Sequence, residues 1–93
     1  MKKVTLCLEF RGGTGYAYIN IIPSDYSTFR QDFDGCHDFY LSEGTYAITL
    51  EGVAPVSDEF PTTLTAKLQI DGNDAGTIKI PGGSYRKNFQ FDI

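Results

Sequence analysis

Cys36-His37-Asp38 sets a thiol, an imidazole and a carboxylate on three successive residues, all of them metal-ligand types. On an extended chain, successive side chains point to opposite sides, so the three cannot easily share one ion. Cys7 supplies a further sulfur only if the fold carries it to the same place, and the ligand spacing of a structural zinc site is missing. The same geometry separates Cys36 from His37 as nucleophile and base. The chain has no other histidine and no G-x-S-x-G elbow, and nothing near Cys36 reads as a helix N-terminus or cationic cluster able to lower the thiol pKa. No enzyme activity, metal or cofactor is expected.

Asp71, Asn73 and Asp74 imitate the first ligands of a calcium loop, but the twelfth position, where a bidentate acid is required, is Gly82. A hairpin turn built on Asx chemistry explains the same residues. Asp32, Asp34 and Asp38 cluster around another turn and read as solvated. Gly12-Gly13-Thr14-Gly15 leads into Tyr16–Ile22, a strand, whereas a phosphate cradle leads into a helix N-terminus with a lysine in place. Six tyrosines and no tryptophan leave room for sugar stacking, although several of the tyrosines fall on inward registers. Twelve acids against eight bases give a net charge of -4 with no basic patch, which disfavours nucleic acid and anionic membrane surfaces.

These groups must be positioned by short strands. The 93 residues suffice for a single domain, 1–93, with one modest core, and ten glycines alongside 14% aromatics suit strands and tight turns. Val4, Leu6, Leu8 and Phe10 alternate with Lys3, Thr5, Cys7 and Glu9, a first strand that puts Cys7 outward. Thr5, Glu9 and Arg11 break the apolar run of about 7 to 15 residues that a signal peptide needs. The chain as it stands reads as cytoplasmic, or as exported if a leader was removed. Without an export signal, Cys7 and Cys36, the latter in a turn, are expected to be reduced, although one bridge is possible.

The second strand, Tyr16–Ile22, carries bulk on both faces, so it is central in its sheet or turns one face to a partner. Ser24 to Phe33 fits either a short helix, with Tyr26, Phe29 and Phe33 on one face, or a strand using Phe29, Gln31 and Phe33. The all-β surroundings favour the strand. Phe39 and Leu41, the turn Ser42-Glu43-Gly44, and Tyr46, Ile48 and Leu50 read as a hairpin. Gly52 to Pro61 is a longer crossover between sheets. Leu64, Ala66, Leu68 and Ile70 face inward on the next strand, and Ile78 and Ile80 stay in phase only across an odd loop, hence Gly72-Asn73-Asp74. Tyr85, Lys87, Phe89, Phe91 and Ile93 close the chain, and Lys87 must snorkel or reach a carboxylate.

The run Asp34-Gly35, Phe39, Leu41, Gly44, Tyr46, Ile48, Leu50 resembles the "DG-x-F-x-F-x-x-L-x-x-G-x-Y-x-L" stretch of transthyretin-like and carboxypeptidase-regulatory-like modules. Leu68 to Gly72 with Gly76, Gly83 and Tyr85 is similar to the pattern of PEGA-type modules. The regulatory-like family's N-terminal "G-x-V…G-A-x-V" is absent, and Thr77-Ile78 stands where PEGA modules have Thr-Pro. The resemblance implies an all-β antiparallel sandwich of seven or eight strands, prealbumin-like or immunoglobulin-like, with an accessory or adhesive role and no catalytic residues to transfer.

A non-enzymatic protein-protein interaction or self-assembly module is therefore expected, with carbohydrate binding as the alternative. Adjacent Phe39 and Tyr40 must face opposite sides of a strand, which leaves one of them outward. Tyr26, Phe39 and Tyr40 are the candidate contact residues, and the exposed edge strands of a small sandwich are the other candidate surface.

Overall fold

The computed structural model describes residues 1–59 and 61–93. Eight strands follow in order: β1 Lys2–Arg11, β2 Tyr16–Ile22, β3 Phe29–Gln31, β4 Gly35–Leu41, β5 Thr45–Ala54, β6 Thr63–Ile70, β7 Asn73–Pro81 and β8 Gly83–Asp92. They form two four-stranded antiparallel sheets, β4-β1-β6-β7 and β3-β2-β5-β8. The expected all-β sandwich is what the chain forms.

Period-two alternation builds the core from both walls. Val4, Leu6 and Leu8 of β1 and Leu64, Ala66 and Leu68 of β6 face Ala17, Ile19 and Ile21 of β2 and Ile48 and Leu50 of β5, all at most 2% exposed. Burying a leucine or isoleucine this fully stabilises by about 2 kcal/mol before entropy is counted. β2 lies between β3 and β5, the central place that is one of the two readings of its bulky faces. Phe29–Gln31 is a strand, as the β-rich surroundings imply, but it stops short of Phe33, which is expected on the same face as Phe29 and Gln31 and is exposed instead. Residues 55–62 carry the chain from β5 in one sheet to β6 in the other, the expected crossover, and β5 itself runs four residues past Leu50.

Three expectations are corrected. First, β4 and β5 do not pair: they stand in opposite sheets, and Ser42-Glu43-Gly44 is an arch over the core. Phe39, Leu41 and Tyr46 all point inward from opposite walls, a pattern that a hairpin and an arch share. The Tyr46 hydroxyl closes the arch by donating to the Ser42 carbonyl at 2.7 Å.

Second, the β6–β7 connection is not Gly72-Asn73-Asp74. It is the two-residue turn Asp71-Gly72, with φ of +49° and +83°, as a type I′ turn requires. This even loop alone would set Ile78 against an outward residue. A one-residue bulge at Ala75, between the pairs Gln69–Asp74 and Leu68–Gly76, restores the phase and brings Ile78 across from Ala66.

Third, Cys7 and Cys36 are joined by a disulfide, and Cys36 lies in β4 rather than in a turn. Both sulfurs face outward at a cross-strand pair whose Cα atoms are 4.0 Å apart. The close approach is that of a pair without main-chain hydrogen bonds. Consistently, Lys3 and Asp71 exchange hydrogen bonds on the far side of β1 (Asp71 N–H to Lys3 carbonyl, 2.8 Å; Lys3 N–H to Asp71 Oδ1, 3.0 Å).

Candidate functional site

The outer face of β3-β2-β5-β8 carries two of the aromatic side chains that the core leaves over, Tyr16 and Tyr18. β2 directs Ala17, Ile19 and Ile21 inward, which sends Tyr16, Tyr18 and Ile22 outward. Tyr18 is 43% exposed and Ile22 53%. Register places Arg30 of β3 and Glu51 of β5 on either side of Tyr18, and Arg86 of β8 beyond Glu51.

Arg30 organises one end of this face. Its guanidinium lies 4.2 Å from the Tyr16 ring centroid and 5.7 Å from that of Tyr18, close enough for cation–π attraction to both. Nε donates to Asp32 Oδ1 at 2.6 Å and one terminal nitrogen to the Tyr18 hydroxyl at 3.4 Å. Asp32, with a smaller contribution from Tyr18, raises the Arg30 pKa, so the side chain stays charged. The other terminal nitrogen, Nη2, makes no hydrogen bond among the described residues, and Arg30 lines the groove beside it.

That groove has a volume of about 410 Å³ and is lined by Thr14, Gly15, Tyr16, Arg30, Asp32, Phe33 and Val53. Phe33 among them is 81% exposed. Gln31 explains this placement: buried at 8%, it donates Nε2 to the carbonyls of Phe33 (2.7 Å) and Gly35 (3.1 Å). β3 thus ends at Gln31 and the following ring turns out to solvent. The groove offers an acceptor-seeking cation, a carboxylate and apolar walls. Such a lining can hydrogen-bond a carbonyl or carboxylate beside an apolar group.

Tyr26, Phe39 and Tyr40 do gather, at the opposite end of the sandwich from the groove, where Tyr26 and Tyr40 lie with Pro23, Leu41 and Tyr46. Phe39 is 3% exposed and belongs to the core, so it serves a contact only by supporting Tyr26, whose ring meets it edge-on at 5.0 Å. Tyr40 is the outward member of the adjacent pair, 53% exposed. The Tyr40 N–H donates to the Tyr26 hydroxyl at 2.9 Å, which occupies part of the free edge of β4.

The other candidate groups are engaged locally. His37 lies on the face opposite Cys36, with its ring 4.4 Å from that of Phe29, and both sulfurs are bonded to each other. Asp74 meets Lys67 at 3.4 Å, and Asp71 holds the start of β1. For sugar stacking, Tyr16 and Tyr18 are badly disposed, because their planes lie 80° apart and Arg30 covers the Tyr16 face.

The second bulky face of β2 was one signal in the sequence for this region. The strand reading with Phe29, Gln31 and Phe33 on one face already turns Arg30 outward, but it places Phe33 on the same row as the buried Gln31; because β3 ends at Gln31, Phe33 leaves that row and is exposed. A scan of family models and searches of curated proteins and of solved structures found no match to this chain, so its function must be argued from its own geometry.

Proposed function

We propose that this protein is a non-enzymatic protein-interaction module whose recognition surface is the outer face of β3-β2-β5-β8, centred on Tyr16, Tyr18, Arg30 and Phe33. The observation that carries this reading is the groove beside Arg30: a charged guanidinium within cation–π reach of two tyrosine rings, with an 81%-exposed phenylalanine lining the same groove. Tyrosine and arginine are the residues that dominate binding energy at protein contacts, and a large exposed apolar ring beside them is what a partner would cover. Tyr26 and Tyr40 form a second exposed aromatic site at the opposite end of the sandwich.

The Cys7–Cys36 bridge favours the exported placement over the cytoplasmic one, since disulfides persist in oxidising compartments. An extracellular binding or adhesive role follows from that pairing of features.

A displayed library of random peptides panned against the immobilised protein tests the reading. Enriched peptides are expected to lose about tenfold in affinity or more with Arg30→Ala or Tyr16→Ala and little with Tyr40→Ser. Peptides that bind Arg30→Ala as well as the parent, or no enrichment at all, would overturn it. A glycan-array signal lost with Tyr18→Ala would favour the carbohydrate alternative instead.

A further inference from the structure

We infer that two copies of this chain associate edge to edge through β8, antiparallel about a twofold axis at Phe89, with Arg86 of each copy opposite Asp92 of the other. This inference does not rest on the groove reading.

The four sheet edges are not equally protected. β3 has only three residues. The edge of β4 carries the Tyr26 hydroxyl on its Tyr40 N–H. β7 is interrupted by the bulge at Ala75 and ends in Pro81. β8 pairs with β5 in unbroken register from Thr45–Asp92 to Ala54–Gly83, with no proline and no bulge. Among the described residues, nothing pairs with its other edge.

The phase of the hydrogen bonds says which groups that edge presents. Gly44 and Ile93 exchange both main-chain bonds, so Phe91, Phe89, Lys87 and Tyr85 also bond toward β5. The N–H and C=O groups of Ser84, Arg86, Asn88, Gln90 and Asp92 therefore point away from the sheet, a ready template for another strand.

A twofold pairing must oppose residues from that outward set. Centring it on Phe89 sets Arg86 against Asp92 of the second copy, and Asn88 against its Gln90. Moving the centre by one residue loses the charge match. The Asp92 carboxylate is already oriented by the Thr45 hydroxyl at 2.8 Å. On the outer face, Glu51 and Arg86 of one copy would continue into Asp92 of the other, so that charges alternate across the joint. On the inner face the half-buried Phe89 rings would meet across the axis, and Lys87, the cation that otherwise guards this edge, would lie opposite Phe91 of the second copy.

Light scattering after size-exclusion chromatography, over a concentration range and with and without reductant, tests this. A dimer that persists in reductant is expected. Asn88→Pro, whose missing N–H lies on the outward edge, should abolish it, with circular dichroism confirming the fold. Arg86→Asp should raise the dimer dissociation constant at least about tenfold, and Arg86→Asp combined with Asp92→Arg should restore it. A monomer at every concentration, or a dimer indifferent to Asn88→Pro, would overturn the edge contact. A dimer unmoved by the charge variants would overturn the register. Arg30→Ala, which strikes the groove, should leave the dimer intact, and so separates failure of the two readings.

Discussion

Gly52 and Tyr85 show how a single missing side chain shapes this molecule. A Cβ at Gly52 would run into the main-chain carbonyl of Tyr16. Tyr85 pairs with Gly52 across β5 and β8, and its ring reaches over that glycine so that its hydroxyl donates to the same carbonyl at 3.1 Å. Burial of the phenol, with a smaller contribution from Tyr16, pushes its pKa from 10.0 to about 12. Between those values the folded chain keeps a proton that the unfolded chain releases. The contribution is therefore complete below pH 10.0 and is lost as pH rises toward about 12. Urea unfolding across this window should show the parent losing more stability than Tyr85→Phe. That variant should itself be about 1 kcal/mol weaker at neutral pH, having lost the hydrogen bond to the Tyr16 carbonyl. Parallel losses in the two proteins would show that Tyr85 titrates alike in both states.

At the scale of elements, the β6–β7 hairpin turns on Asp71. This residue adopts a positive φ of +49°, donates its N–H to the Lys3 carbonyl and accepts the Lys3 N–H on its carboxylate. It therefore fixes the turn and ties it to β1. Alanine tolerates the left-handed region poorly and has no acceptor to offer, so Asp71→Ala should cost about 1 to 2 kcal/mol in thermal or urea unfolding. Asn accepts both the conformation and the hydrogen bond, and Asp71→Asn should cost much less. Equal losses in the two variants would mean that neither the turn geometry nor the tie to β1 matters to stability.

For the whole molecule, the disulfide is the feature of longest reach. Cys7 and Cys36 are 29 residues apart, and the bridge spans β1 to β4 on the outside of one sheet, enclosing β2 and β3 of the other. Closing a loop of this length constrains the unfolded chain by about 3.6 kcal/mol in the loop-entropy account. A 93-residue sandwich with one modest core has little stability to spare. The Cys7→Ser, Cys36→Ser double variant should therefore unfold at a lower denaturant concentration, by about 2 to 4 kcal/mol, and the parent should fall to the same value in reductant. An unchanged midpoint would assign the bridge no part in stability.

The sequence by itself determined where strands run and which way their residues face. Side-chain alternation is a local property of an extended chain, so Val4 to Phe10, Tyr16 to Ile22 and Leu64 to Ile70 declare their inward rows without reference to anything distant. The outward placing of Cys7, the bulk on both faces of β2 and the exposure of one of Phe39 and Tyr40 all followed from that alternation. Only the tertiary structure decided which strands meet. Phe39, Leu41 and Tyr46 have the same inward pattern whether the chain forms a hairpin or arches from one sheet to the other, and the arch is set by β4 pairing with β1. That pairing, 29 residues apart in sequence, also brings the cysteines together. The bulge at Ala75 corrects a phase error that a two-residue turn introduces, and no local preference of Ala75 announces it. The groove was the least legible part: alternation with Phe29 and Gln31 turns Arg30 outward, but it also places Phe33 on the inward row, and only the end of β3 at Gln31, which holds the carbonyls of Phe33 and Gly35, releases that ring to the surface. Periodicity is written in neighbouring residues, whereas strand pairing and the faces it leaves open depend on contacts between segments far apart in the chain.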